Sequence, residues 1–109
     1  MGDMNYIGAI VKILEVPKEK LINSNTLVIK FRAQLHQVRK DRVVKLVFWN
    51  NLALAVRNSY KVNDYILIEG YTSIRKKSTS NKSLKKVTIT VVKVYPLLLN
   101  SNRSINKLS

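Results

Sequence analysis

The chain has 109 residues, one domain's worth, and 46% of them are hydrophobic, which supplies a core and excludes a wholly disordered polymer. Twenty Lys and Arg against six Asp and Glu leave a net charge of +14, which draws the chain to polyanions: nucleic acid, an anionic membrane surface or an acidic protein. With no cysteine, disulfide scaffolds, thiolate metal sites and cysteine nucleophiles are excluded, and no apolar run approaches the ~18 residues of a membrane span. The opening Met1-Gly2-Asp3-Met4-Asn5-Tyr6 has the form of neither a secretory signal nor a transit leader, so an intracellular, reducing compartment is expected.

In chain order, Tyr6–Leu14 is β-branched and interrupted by Gly8, a strand with a bend or bulge. Pro17 and Asn23-Ser24-Asn25 bracket what reads as a loop. A second strand, Thr26–Ala33, alternates: Leu27, Ile29, Phe31 and Ala33 face one way, Thr26, Val28, Lys30 and Arg32 the other. The basic link His36–Arg42 leads to a third strand, Val43–Trp49, with Val44, Leu46 and Phe48 on one face and Val43, Lys45, Val47 and Trp49 on the other. Asn51–Tyr60 is a helix carrying Leu52, Val56 and Tyr60 at i, i+4 and i+8, with Asn50 or Asn51 as its expected cap. After a turn at Lys61–Asp64 comes a fourth strand, Tyr65–Tyr71, ending or bending at Gly70. Ile74–Lys86 has no apolar period and reads as an exposed basic hairpin loop, followed by a fifth strand, Val87–Tyr95, that stops at Pro96. From Asn100 to Ser109 the sequence is a polar tail, expected to be loose.

Five strands with one short helix between the third and fourth is the arrangement of an all-β, five-stranded OB-fold Greek-key barrel. The domain is expected over residues 4–99, with a flexible polar tail at 100–109. Small barrels of this kind carry single-stranded nucleic acid or oligosaccharide on strands two and three and on two of their loops. In this chain Lys30, Arg32 and Lys45 lie on the outward faces of those two strands, suited to holding phosphates. Trp49, the single tryptophan, also points outward and offers a face on which a base can stack. Arg75, Lys76, Lys77, Lys82, Lys85 and Lys86 concentrate charge between strands four and five, and Tyr71 stands either as a further stacking surface or as part of the barrel. Lone His36, scattered Asp64 and Glu69, and three dispersed glycines make no metal site, carboxylate pair or phosphate loop. No enzymatic activity, cofactor or metal is expected, and Glu69 is assigned a structural part.

The stretch Val43-Val44-Lys45-Leu46-Val47-Phe48-Trp49-Asn50-Asn51-Leu52-Ala53 resembles the third strand and helix start of bacterial-type single-stranded DNA-binding proteins. Ile68-Glu69-Gly70 before Arg75, and the opening Met4-Asn5-Tyr6-Ile7, are similar to other signatures of that family, in the same order, so that the resemblance spans Met4 to Leu99. It implies single-stranded DNA binding with little sequence preference, a part in DNA replication, and assembly as a homodimer or homotetramer through strand one and the exposed sheet; no membrane partner is expected, because the sequence offers no amphipathic basic helix. Ile7, Ala9, Val11 and Ile13 are the residues expected to serve that assembly.

The departures are local. Trp49 matches one family stacking aromatic, while Val43 and Lys77 stand where others occur, Asn50 replaces the glycine after the third-strand aromatic, and the family's acidic, partner-recruiting tail is absent. The pattern also resembles divergent relatives, the primosomal replication protein and plastid-encoded open reading frames, implying a plastid or a bacterial cytoplasm. Two other readings stay open at this level: an RNA-binding module of the translation apparatus, and an interaction protein that kept the barrel and lost nucleic-acid binding.

Overall fold

The computed structural model describes residues 4–36, 41–79 and 82–97, with side chains placed for 5–36, 41–74 and 86–97. Six strands and one helix run in the order β1 (Met4–Ile13), β2 (Lys18–Asn23), β3 (Thr26–Leu35), β4 (Arg42–Trp49), α1 (Asn50–Ser59), β5 (Tyr65–Thr79) and β6 (Lys82–Pro96). Strands are hydrogen-bonded in the order β1-β5-β6-β4-β3-β2, and β1 also pairs with β3. That last pairing closes a ring of β1, β5, β6, β4 and β3, the five strands expected from the sequence, with β4 and β6 parallel where Lys45, Leu46 and Val47 meet Thr88, Ile89 and Thr90. The result is the OB-fold barrel.

β2 lies outside the ring. Lys18–Asn23 was expected within a loop and is instead an edge strand on the first half of β3, with Lys18 opposite Lys30 and Lys20 opposite Val28. All six of its residues are exposed, so no hydrophobic alternation announces it. Its register is set by the two-residue connection Ser24-Asn25, where the Asn25 N–H donates to Asn23 Oδ1 at 2.9 Å.

The inward faces predicted from alternation form the core. Ile29, Phe31 and Ala33 of β3 and Val44, Leu46 and Phe48 of β4 are buried, with the Phe31 and Phe48 rings stacked at 5.2 Å between centroids. From β1, Val11 and Ile13 are fully buried and Ile7 and Ala9 pack against the same core. This corrects the expectation that these four residues mediate assembly: they line the barrel interior. Helix α1 covers one side of the core with Ala53 and Val56, flanked by Leu52 and Tyr60.

Of the two alternatives expected at Gly70, an end or a bend, the structure shows the second: a register shift there leaves Val92 of β6 without a partner between Val91 and Lys93. The strand expected to stop at Tyr71 continues to Thr79. Of Ile74–Lys86, expected to be a loop, Ile74–Thr79 and Lys82–Lys86 instead continue β5 and β6 as a paired arm, from Ile74 opposite Val87 to Thr79 opposite Lys82, with Ser80 and Asn81 outside the described residues. Backbone pairing between adjacent strands sustains this arm without the inward hydrophobic alternation that a half-buried strand displays. Gln37–Lys40 and the predicted tail, Asn100–Ser109, lie outside the described residues.

Candidate nucleic-acid interface

On the outer face of the sheet, cross-strand register assembles a row that no single segment reveals. Lys18 is opposite Lys30, Lys30 opposite Val47, Val47 opposite Thr90, Thr90 opposite Tyr71, and Tyr71 opposite Tyr6. In the rows on either side, Arg32 pairs with Lys45, and Lys20 and Trp49 flank Val28. Side chains on one face of adjacent strands stand about 5 Å apart, so charges and apolar groups on these rows act together.

A cleft of about 430 Å³ opens on this face, with Lys18, Lys20, Lys30, Arg32, Lys45 and Lys86 around it and Glu15 and Glu19 as its anionic members. Four of the sequence-predicted residues (Lys30, Arg32, Lys45 and Lys86) are thus brought together. Lys18 and Lys20 were missed because β2 was missed; lysines two apart before an Asn-Ser-Asn turn were the available signal. The apolar lining of the cleft is Phe31 and Val28, the latter only 1% exposed although it sits on the outward side and outside the core cluster; Val47, 7% exposed, lies opposite Lys30 on the same face. Trp49 closes one end of the face, 45% exposed, as expected from alternation.

The residue after Trp49 carries a strained backbone. Asn50 has φ 50, the left-handed region that glycine enters freely and asparagine tolerates best among the rest. Its side chain does not cap α1, as had been expected of Asn50 or Asn51; the helix has no side-chain cap, and Asn50 Oδ1 accepts from the Leu27 N–H at 3.0 Å. Asn50 thereby ties the start of α1 to β3 and holds the Trp49 backbone against Val28 of the neighbouring strand.

Arg32 is not a free cation. Glu15 Oε1 accepts from its Nε at 3.0 Å and Glu15 Oε2 accepts from its backbone N–H at 2.8 Å. These hydrogen bonds, the one from the backbone N–H foremost, together with the nearby charges of Arg32 and Lys18, hold the Glu15 carboxyl below its ordinary range against an opposing cost of burial.

Tyr71 lies on the same register row but two strands from β4, about 10 Å at ordinary strand spacing. Its ring meets Tyr6 edge-on at 5.0 Å, and the Tyr6 hydroxyl donates to Glu69 Oε1 at 2.7 Å. That hydrogen bond is the main reason the Tyr6 hydroxyl is pushed up to about 12, and it gives Glu69 the structural part expected of it. Arg75, Lys76, Lys77, Lys82 and Lys85 have their backbone on the hairpin arm, and their side chains lie outside those described. His36 rests on the Tyr65 ring at 5.8 Å with Nδ1 3.1 Å from Asp41 Oδ1, away from the basic cleft. No group of three or more metal-ligating side chains occurs among the described residues, and no described helix is long and apolar enough to cross a membrane.

No protein-family model matches the chain. Among solved structures, the small single-stranded DNA-binding protein from Streptomyces coelicolor superposes with a TM-score of 0.70 over 90% of this chain and 98% of that one, at 18% identity, a likeness of fold. Two curated relatives carry the name "Putative single-stranded DNA-binding protein ycf41". The one from Trieres chinensis is 32% identical over 105 residues, covering 90% of this chain and 93% of that protein. The one from Porphyra purpurea is 29% identical over 105 residues, covering 91% and 95%. With this identity sustained over nearly the whole of both chains, on an OB-fold barrel with a basic outer cleft, the chain belongs to the ycf41 family of single-stranded DNA-binding proteins.

Proposed function

We propose that this chain binds single-stranded DNA with little sequence preference across the outer face of β3 and β4. The observation that carries the reading is the convergence of six cations from β2, β3, β4 and β6 on one apolar-floored cleft whose sheet face ends at an exposed tryptophan. Lysines and arginine neutralise phosphates at no fixed base, and a tryptophan face stacks on any base, so this chemistry carries little sequence information. Each phosphate contact on a single strand contributes about −0.7 to the slope of log K against log salt, so binding weakens steeply as salt rises.

The test follows Trp49 fluorescence during titration with an unstructured oligonucleotide at two salt concentrations. Quenching that fades with salt is expected. Trp49→Ala, read by anisotropy of a labelled oligonucleotide, should cost ~1–3 kcal/mol of binding; unchanged affinity removes Trp49 from the site. Equal or tighter binding of RNA of the same length would move the protein to the RNA-binding reading.

We also infer assembly as a homodimer or homotetramer, in a plastid, with a part in DNA replication. The face available for assembly is the outside of β1, β5 and β6, where Tyr6, Ile10, Tyr71 and Tyr95 are all exposed. Tyr71, packed against Tyr6, belongs with this face rather than with the cleft. Light scattering should report more than one copy, and Ile10→Lys should shift the population toward monomer; a monomeric wild type at all concentrations would refute the assembly.

A further inference from the structure

The edge of β3 away from β4 has three successive partners. Residues 26–30 pair with β2 and residues 33–35 with β1, which leaves Arg32, with Phe31 before it, at the junction, where neither strand reaches. Its backbone there is completed by the segment after β1: the Leu14 N–H donates to Arg32 O at 3.0 Å, and Glu15 Oε2 takes the Arg32 N–H. Glu15 thus replaces a missing strand with a carboxylate. The same carboxylate engages Arg32 Nε, and it does so on the wall of the basic cleft.

We propose that Glu15 is a positioning residue that withholds part of Arg32 from the phosphate backbone and so tempers the affinity of the cleft; this rests on the reading of the cleft as the DNA site. A neutral acceptor would have sufficed to complete the β3 edge. A carboxylate does more: it places a negative charge among Lys18, Lys30 and Lys45, and it fixes the guanidinium by its Nε so that only the terminal nitrogens remain for a phosphate. The Arg32 side chain is still 63% exposed against 23% for Glu15, so the arginine is held from beneath while its outer edge stays accessible. An incoming phosphate therefore meets a preset, half-neutralised arginine.

Glu15→Gln tests this, because the amide oxygen can still accept from the Arg32 N–H while the amide nitrogen no longer pairs with Nε. Binding of an oligothymidylate is measured over a salt series for wild type, Glu15→Gln, Glu19→Gln, Arg32→Gln and the double variant Glu15→Gln/Arg32→Gln, with a thermal melt of each to confirm folding. Glu15→Gln should tighten binding severalfold and steepen the salt slope by about 0.7, one further phosphate contact. Glu19, which lines the same cleft but pairs with Arg57 rather than Arg32, controls for the loss of one negative charge. In an Arg32→Gln background the gain should shrink to that of Glu19→Gln, the coupling expected of groups that act through one another. An unchanged slope, weaker binding, or a gain equal to that of Glu19→Gln would overturn the proposal and leave Glu15 as an edge cap of β3. Failure of the folded wild type to bind the oligonucleotide at low salt would instead defeat the DNA reading itself.

Discussion

Gly70→Ala should destabilise the protein by at least ~3 kcal/mol, at the upper end of what overpacking costs. A Cβ built on Gly70 would lie 2.2 Å from the carbonyl oxygen of Thr90 and 2.9 Å from both the Thr90 carbonyl carbon and the Val91 Cα. All three are backbone atoms of β6, so no side-chain rotation relieves the overlap. The two strands cannot simply separate, because Gly70 sits at the bulge where Val92 drops out of register, between paired residues on both sides. At ~4–8 °C per kcal/mol for a domain of this size, the melting temperature should fall by more than ~12 °C. A variant melting within a few degrees of wild type would show that the bulge can open, and the close approach would lose its explanatory value. The Glu-Gly pair thus has a divided physical role: Glu69 anchors Tyr6 on the outside of the barrel, and Gly70 lets β6 come close on the inside.

Phe31→Ala should cost ~3–5 kcal/mol, the range for deleting a buried aromatic ring. Phe31 is fully buried and stacks on Phe48, and its strand carries Lys30 and Arg32 on the opposite face. The loss therefore combines transfer free energy, a cavity between β3 and β4, and the favourable ring–ring contact. Since small domains are stable by only ~5–15 kcal/mol in all, the variant should sit near the edge of folding. Urea unfolding gives the check: the midpoint should drop with little change in slope, and Phe31→Leu should recover most of the loss. A cost below about 1 kcal/mol would mean the core collapses around the vacancy. Residual DNA binding by the folded fraction would separate stability from the cleft, because Trp49 and the lysines are on the other side of the sheet.

The barrel and the outward faces that carry the candidate site were legible because both rest on local periodicity. Alternation in Thr26–Ala33 and Val43–Trp49 separates inward Phe31 and Phe48 from outward Lys30, Lys45 and Trp49, and the burial of these residues follows it. The helix between β4 and β5 was equally visible, although its buried stripe includes Ala53 as well as Val56. Where residues carried no such period, expectation failed. β2 is exposed throughout and read as loop, and the arm beyond Ile74 holds together by backbone pairing rather than by an apolar face. The first strand was expected, but its apolar residues Ile7, Ala9, Val11 and Ile13 were assigned to assembly, whereas ring closure by β1 and β3 turns them inward.

By itself, then, the sequence determined the charge, the core-facing side of each central strand, the helix and the outward tryptophan, since each depends on side-chain order along a few residues. Tertiary structure alone decided which distant groups meet. Arg32 finds Glu15 seventeen residues away, and Tyr6 finds Glu69 across sixty-three. Lys18 and Lys20 join Lys45 and Lys86 only because β3 brings β2 and β4 to its two edges. Strand pairing is non-local, set by loop closure and register rather than by any residue's own preference, so the composition of the cleft existed in no segment of the chain until the barrel closed.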